Sequence, residues 1–248
     1  MSSDAEIADA RSALKWKRVL LKVSGEALMG AQGFGIDTRV LDRVADEIAQ
    51  AVRIGAQVGL VVGGGNFVRG ARIAAGGVNR VAGDHMGMLA TVMNCLALHD
   101  ALTRRGIDAR VVSALTVPTV CETFTQRGAQ EHMEAGRVVL FAGGTGNPFF
   151  TTDSGAALRA AEMGCDALLK GTNVDGVYSA DPKREPSAVR YDRLSHQEVL
   201  ARGLAVMDAA AIALARDNAI PVIVFSIQEP GAFIDVLCGR GRATIVAD

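Results

Sequence analysis

Lys22 stands near the end of an apolar run, Val19–Ser24, and Val23, Ser24, Gly25 and Glu26 follow it. A cation at the end of a buried strand, beside glycine, suits a phosphate more than a packing role. A second apolar run, Gln57–Val62, ends in Gly63-Gly64-Gly65-Asn66. A third, Arg137–Ala142, ends in Gly143-Gly144-Thr145-Gly146-Asn147-Pro148-Phe149-Phe150-Thr151-Thr152-Asp153, and a fourth in Lys170-Gly171-Thr172-Asn173. Glycines let the backbone approach a ligand, and helix N-termini present unpaired N–H groups to anions. Thr145, Asn147, Thr151 and Thr152 add neutral donors. Asp84 and Asp153 each suit a helix cap, a ligand contact, or both. Asp181 before Pro182 reads as a turn or a nucleotide contact, and Asp208 as a cap. Phe149 and Phe150 fit either a core or a base-facing wall.

The spacing of these exits implies their framework. Asp37 can cap a helix with Leu41, Val44, Ala45, Ile48, Ala49 and Val52 on one face. A long helix is expected from Asp84 through Leu102, closed at Gly106. Further strands are expected at Ala109–Leu115, Asp166–Lys170, Pro221–Ser226 and Thr244–Val246. Helices are expected from Asp153, near Ser195–Arg202, at Asp208–Asn218, and from Pro230. Val174–Arg193 reads as a loop or short hairpin. Strands alternating with helices predict an α/β fold, a three-layer αβα sandwich with a mostly parallel central sheet. Open parallel sheets bind ligands beyond the carboxyl ends of their strands, so the four exits converge on one crevice.

Composition narrows the function. The chain has 248 residues, 49% hydrophobic, and a formal net charge of −1. That supports a large core and indicates no nucleic-acid surface. Cys95, Cys121, Cys165 and Cys238 show no metal or disulfide spacing, and a reducing cytoplasm fits them. The acidic N-terminal stretch lacks the apolar core of a signal peptide, and no apolar run is expected to span a membrane. The dinucleotide fingerprint fails because Val68 and Phe149 stand where its third glycine belongs. The P-loop pattern fails because no lysine precedes Ser or Thr.

The residues resemble another family. Leu21–Leu28, Gly63–Asn66 with Arg69-Gly70, Gly83–Thr91, Thr145–Asp153 and Val174–Tyr178 are similar to the bacterial UMP kinases of the amino-acid-kinase fold. The match runs in order from about Lys17 to the C-terminus. The resemblance implies a flexible extension over 1–16 and a single domain over 17–248, its acceptor half roughly 17–165 and its ATP half 166–248. It implies ATP-dependent phosphorylation of UMP with Mg²⁺ in a cytoplasmic homohexamer, without nucleic acid or membrane. Lys22, Val23, Ser24, Gly25, Gly65, Arg69, Thr172, Tyr178 and Asp181 would bind ATP. Gly64, Asp84, Thr145, Gly146, Asn147, Pro148, Phe149, Phe150, Thr151 and Thr152 would bind UMP. Lys22 and Asp153 would be catalytic, with no protein-held metal. GTP activation and UTP inhibition are also implied, with Gly30, Ala31, Gln32, Gly33, Phe34 and Gly35 as the regulatory segment and Arg110 and Arg137 on the GTP side.

Two features depart from the family pattern. Asn173 stands where many members carry Lys, shifting cationic load to Lys22, Arg69 and Mg²⁺. Thr103 and Gln126 replace the His and aromatic residues found beside the GTP-linked arginines. An amino-acid or carbamate kinase is the rival within the fold, and a nucleotide-sensing regulator the rival outside it. Met86, Met88 and Met93 fit packing or a subunit interface.

Overall fold

The computed structural model describes residues 14–68, 76–182 and 184–248. Arg69 and residues 1–13 lie outside them. Residues 14–16, expected within a flexible extension, are tied down. Leu14 is buried, and the N–H groups of Lys15 and Trp16 donate to the Leu237 carbonyl at 2.9 and 3.1 Å.

Nine strands form one sheet among the described residues. In chain order these are β1 (Arg18–Val23), β2 (Gln57–Val62), β3 (Ala109–Ser113), β4 (Glu122–Thr123), β5 (Val138–Ala142), β6 (Ala167–Thr172), β9 (Arg193–Leu194), β10 (Val222–Ser226) and β11 (Ala243–Val246). The spatial order is β4-β3-β5-β2-β1-β6-β10-β11-β9. Every neighbouring pair is parallel except β10 with β11. The expected mostly parallel sheet is therefore present. The Val174–Arg193 region forms a separate hairpin, β7 (Val177–Tyr178) against β8 (Arg190–Tyr191).

Alternation along β1 decides which side chains meet which layer. Val19, Leu21 and Val23 face one core, with α1 (Thr38–Arg53), α2 (Arg80–Thr103) and α7 (Ala232–Leu237). Leu20 faces the other, with α3 (Gln126–Glu134), α4 (Thr152–Glu162), α5 (His196–Arg202) and α6 (Ala209–Asp217). Lys22 shares the parity of Leu20, so it points into the α4 layer. Both faces are thus covered by helices, giving the three layers expected.

Helix starts follow their caps. The Asp37 side chain accepts from Arg39 N, opening α1, and Ser195 with Glu198 forms a capping box at α5. Two starts differ from expectation. α2 opens at Arg80, because Asn79 accepts from Val81 N and takes the cap expected of Asp84. α4 is capped by Thr151, which accepts from the N–H groups of Asp153 and Ser154, so Asp153 lies inside the first turn. Neither β4 nor α3 was expected. α3 buries only Ala129 and Met133, too little for a periodic stripe.

α2 is 24 residues long and, by length and composition alone, apolar enough to cross a membrane, a test that buried core helices also pass. Cys95, Leu98, Ala101 and Leu102 on one side of it are nevertheless fully buried in the core. Its opposite side exposes Met86, Leu89, Met93 and Leu96.

Candidate active site

Strand register brings the key cations together. In the parallel pair β1–β6, Lys22 lies opposite Lys170. Like charges on adjacent strands repel, and here a carboxylate separates them. Asp153, in the first turn of α4, reaches Lys22 Nζ with Oδ1 at 2.6 Å and Lys170 Nζ with Oδ2 at 2.9 Å. All three side chains are mostly buried. Lys170 Nζ also donates to the Val206 carbonyl. Burial pushes the Asp153 carboxyl up, but the two ammonium groups outweigh it and hold the group below the usual carboxylate range. Burial pushes Lys170 down, and Lys22 adds to that shift. Asp153 offsets only part of it. Asp153 Oδ1 is buried and accepts no hydrogen bond of ordinary angular geometry, so its contact with Lys22 is a close ion pair.

The loops around this triad are held by close backbone packing. The Ser24 side chain accepts from Ala27 N at 3.3 Å and opens a 3-10 turn, Gly25–Met29. A Cβ on Gly25 would lie 2.4 Å from the Gly63 carbonyl, so only glycine allows the β1 and β2 exits to touch. A Cβ on Gly64 would lie 2.5 Å from the Gly87 carbonyl of α2. The glycine run is thus a contact surface between two loops and a helix as well as a turn.

One cleft, roughly 500 Å³, opens over α2 and the loop after β5. Gly64, Asp84, Thr145, Asn147, Phe150, Thr151 and Thr152 line it, with Gly144 and Thr91. Gly146, Pro148 and Phe149 belong to the same loop but do not line the cleft. Asp84 Oδ2 accepts from Phe149 N at 2.8 Å, and both its oxygens sit 2.9 Å from Arg80 Nε. Phe149 has φ 73°, a conformation costing about 1–3 kcal/mol for a residue with a bulky side chain. Asp84 therefore fixes the loop in an unfavourable backbone shape. Phe149 and Phe150 are exposed, so neither is a core residue.

A second cleft, roughly 1200 Å³, lies on the β6–β10 side. Lys170, Thr172, Tyr178, Asp181, Gly203 and Val206 are among its walls. Tyr178 Oη donates to Asp175 Oδ1 at 2.6 Å, and Asp175 pairs with Arg242 at 2.9 Å. Asn173 carries no charge into this region. Its side-chain oxygen accepts from Gln228 Nε2 at 2.9 Å, and Gln228 is gripped twice by Arg43.

Lys170 lines the second cleft, and Thr152, next to Asp153, lines the first. The Lys22–Asp153–Lys170 triad thus joins two clefts. Lys170 was not among the residues expected to be catalytic, and only the β1–β6 register places it there. Asp208 does more than the expected capping. It accepts from Ala211 N and also from the hydroxyls of Thr151 and Ser154, bracing α4 against α6.

The residues expected to be regulatory do not converge on one pocket among the described residues. Gly30, Ala31, Gln32, Gly33 and Phe34 are exposed, Gly35 less so, and Phe34 packs edge-on against Phe67. Arg110 lines a different cleft with Leu96, His99 and Val120. Arg110 and Arg137 both bind Asp108. Arg137 also meets His132, which meets Glu122. The two arginines are therefore already paired with carboxylates.

Residues 17–226 match the family described as the Amino acid kinase family. The chain is 64% identical over 233 residues to the uridylate kinase of Rhizobium meliloti (strain 1021), covering 94% of this chain and 97% of that one. Identity to the uridylate kinase of Brucella abortus biovar 1 (strain 9-941) is also 64%, with the same coverage. Among solved structures, a UMP kinase from Bacillus anthracis superposes with TM-score 0.90 at 38% identity, covering 94% of this chain and 96% of that one. One from Ureaplasma parvum gives 0.89 at 37%, covering 95% and 100%. Fold, motif order and sequence identity agree: the chain belongs to the amino acid kinase family, in its uridylate kinase group.

Proposed function

We infer that the chain transfers the γ-phosphoryl group of ATP to UMP, giving ADP and UDP, in pyrimidine nucleotide biosynthesis. The observation that carries this is the buried Lys22–Asp153–Lys170 triad at the junction of two clefts. UMP would occupy the cleft over α2, its ribose hydroxyls on Asp84 and its phosphate on the loop from Thr145 to Thr152. ATP would occupy the β6–β10 cleft, bounded by Thr172, Tyr178 and Asp181. Its phosphates would reach Lys22–Gly25 and Gly65.

Phosphoryl transfer depends on alignment and charge neutralisation. The acceptor is a phosphate oxygen, so no strong base is required. Asp153, held ionised by two lysines, is a poor proton acceptor in any case. Its role is to keep Lys22 and Lys170 a few ångströms apart despite their repulsion. Incoming phosphate oxygens then compete with Asp153 for both ammonium groups. Backbone N–H groups of the glycine loops add donors that need no reorganisation.

Mg²⁺ fits as a passenger on ATP. Among the described residues, no group of three or more His, Cys, Asp or Glu side chains forms a metal cage. Mg²⁺ commonly keeps several waters and binds through phosphates with one or two carboxylates. Asp153 is the carboxylate at the junction that would face the water shell of such an ion. When bound, the ion neutralises β- and γ-phosphate charge.

The exposed α2 stripe, spaced three or four residues apart, supports assembly through this helix in a homohexamer. GTP activation and UTP inhibition are part of the same reading. The pairing of Arg110 and Arg137 with Asp108 implies that an activating anion would have to displace a carboxylate. Free cysteines suit the cytoplasm. The whole of 17–248 would then work as one catalytic domain, with acceptor and donor halves meeting at the triad. The test is turnover: purified protein, ATP with Mg²⁺, and UMP, CMP, aspartate, glutamate or carbamate as acceptors, with ADP followed. No ADP formation with UMP rejects the reading.

A further inference from the structure

Asn66 ends the glycine run after β2 and has no part in the transfer described above. It is 2% exposed, and Asn94, midway along α2, is 0% exposed. Their carboxamides exchange two hydrogen bonds: Asn66 Nδ2 donates to Asn94 Oδ1 at 2.8 Å, and Asn94 Nδ2 to Asn66 Oδ1 at 2.7 Å. Each amide nitrogen also donates to a backbone carbonyl. Asn66 reaches Gly35 at 3.0 Å, and Asn94 reaches Gly63 at 2.8 Å. The Gly35 N–H returns a bond to the Asn66 carbonyl at 3.0 Å.

The pair therefore ties together three segments that bear on the site. The Gly63 carbonyl marks the start of the glycine loop. The exposed turn ending at Gly35 is held by Asn66 on both sides of its peptide. Gly25, on the loop carrying Ser24, rests on the same two oxygens, for a Cβ there would lie 2.6 Å from Asn66 Oδ1 and 2.4 Å from the Gly63 oxygen. α2 supplies the fixed end, because Gly87 stacks on Gly64 and Asp84 holds Phe149. A fully satisfied buried amide pair adds direction that an apolar pair of equal volume lacks, and losing one partner leaves the other's groups unpaired.

We propose that Asn66 and Asn94 are positioning residues that set the glycine loop of β2 and the Ser24–Gly25 loop against α2, fixing the separation of donor and acceptor phosphates. Neither touches a reacting atom. The proposal rests on the phosphoryl-transfer reading, and wild-type turnover of UMP tests that reading separately.

The experiment uses the full chain as Asn94→Asp, Asn94→Leu, Asn66→Ala and the Asn66→Ala/Asn94→Leu double variant. kcat and KM for both nucleotides are measured from pH 5 to 9, alongside melting temperature and sedimentation. Each single variant should lower kcat on the order of tenfold or more per folded protomer, since small misplacements cost large factors in rate. The double variant should lose little more than the worse single, because one unit is broken either way. N94D should regain activity toward low pH, where a protonated carboxyl again donates to the Gly63 carbonyl; wild type should lack this limb. Variants with wild-type kcat, or a lowered melting temperature with kcat per folded protomer and pH profile unchanged, would overturn the proposal. Should N94L fail to fold, the N94D pH profile decides alone.

Discussion

Asp153→Asn is the sharpest probe of the triad. The carboxylate meets two ammonium groups at 2.6 and 2.9 Å, all largely buried. With charge centres about 4 Å apart and an effective dielectric constant near 20, each attraction is about 4 kcal/mol. Repulsion between the lysines and desolvation cancel part of the gross sum. Breaking a buried pair at one partner costs about 3–5 kcal/mol, which we take as the expected loss. At about 2–4 °C per kcal/mol for a chain of this size, the melting temperature should fall by roughly 10 °C. kcat should fall about a hundredfold or more, because the lysines lose their shared anchor. ATP with Mg²⁺ should raise the variant's melting temperature more than the wild type's, since phosphate oxygens replace the lost charge. The acid limb should change as well. The folded Asp153 carboxyl titrates below its unfolded value of about 3.9. Its stabilisation is therefore present above that pH and is lost as pH falls through the folded value. D153N lacks this dependence. A variant melting within about 2 °C of wild type, a loss of no more than about 1 kcal/mol for a chain of this size, with kcat nearly unchanged would refute the anchoring role.

Lys170→Met should lower kcat with little change in either KM. In wild type, the depressed Lys170 pKa should bring an alkaline fall in kcat at a lower pH than an ordinary lysine gives, and Lys170→Arg should abolish that limb. The same depression means that folding disfavours its charge below the folded pKa, a penalty relieved as pH rises through it. Asp84→Asn should raise KM for UMP by on the order of tenfold, as a charge-assisted bond is lost, and steady-state kinetics with UMP varied read it directly. Tyr178→Phe should raise KM for ATP a few-fold and leave kcat near wild type. Leu89→Asp, in the exposed α2 stripe, should yield smaller particles by sedimentation velocity without changing the circular dichroism spectrum.

The framework was legible in the sequence because its signals are local. Strands β2 and β5 end where expected, at Gly63 and Gly143, since each is a short apolar run closed by glycine. Asp37, Ser195 and Asp208 cap the helices they precede. What was missed depends on register or on competition. Lys170 shares Asp153 with Lys22 only because β1 and β6 align the two lysines, and no spacing in the chain encodes that. Asp84 looked like a helix start, but Asn79 takes the cap one turn earlier and frees Asp84 for Phe149. The pairing of Arg137 with Asp108 is likewise non-local, as is the approach of Arg110 to Glu122.

The same electrostatics limits how the site can work. Two lysines share one aspartate, so the triad carries a single net positive charge before substrates arrive. Two phosphorylated nucleotides bring several negative charges into that space. Position 173 cannot help, because Asn173 is neutral and its oxygen is spent on Gln228. Backbone N–H groups supply partial charges only. On the proposed reading, the balance would come from a cation that enters with the donor, as Mg²⁺ on ATP would. A site so poor in fixed positive charge keeps its lysines paired and folded while empty. Such a site would gain most from a metal that arrives with the donor.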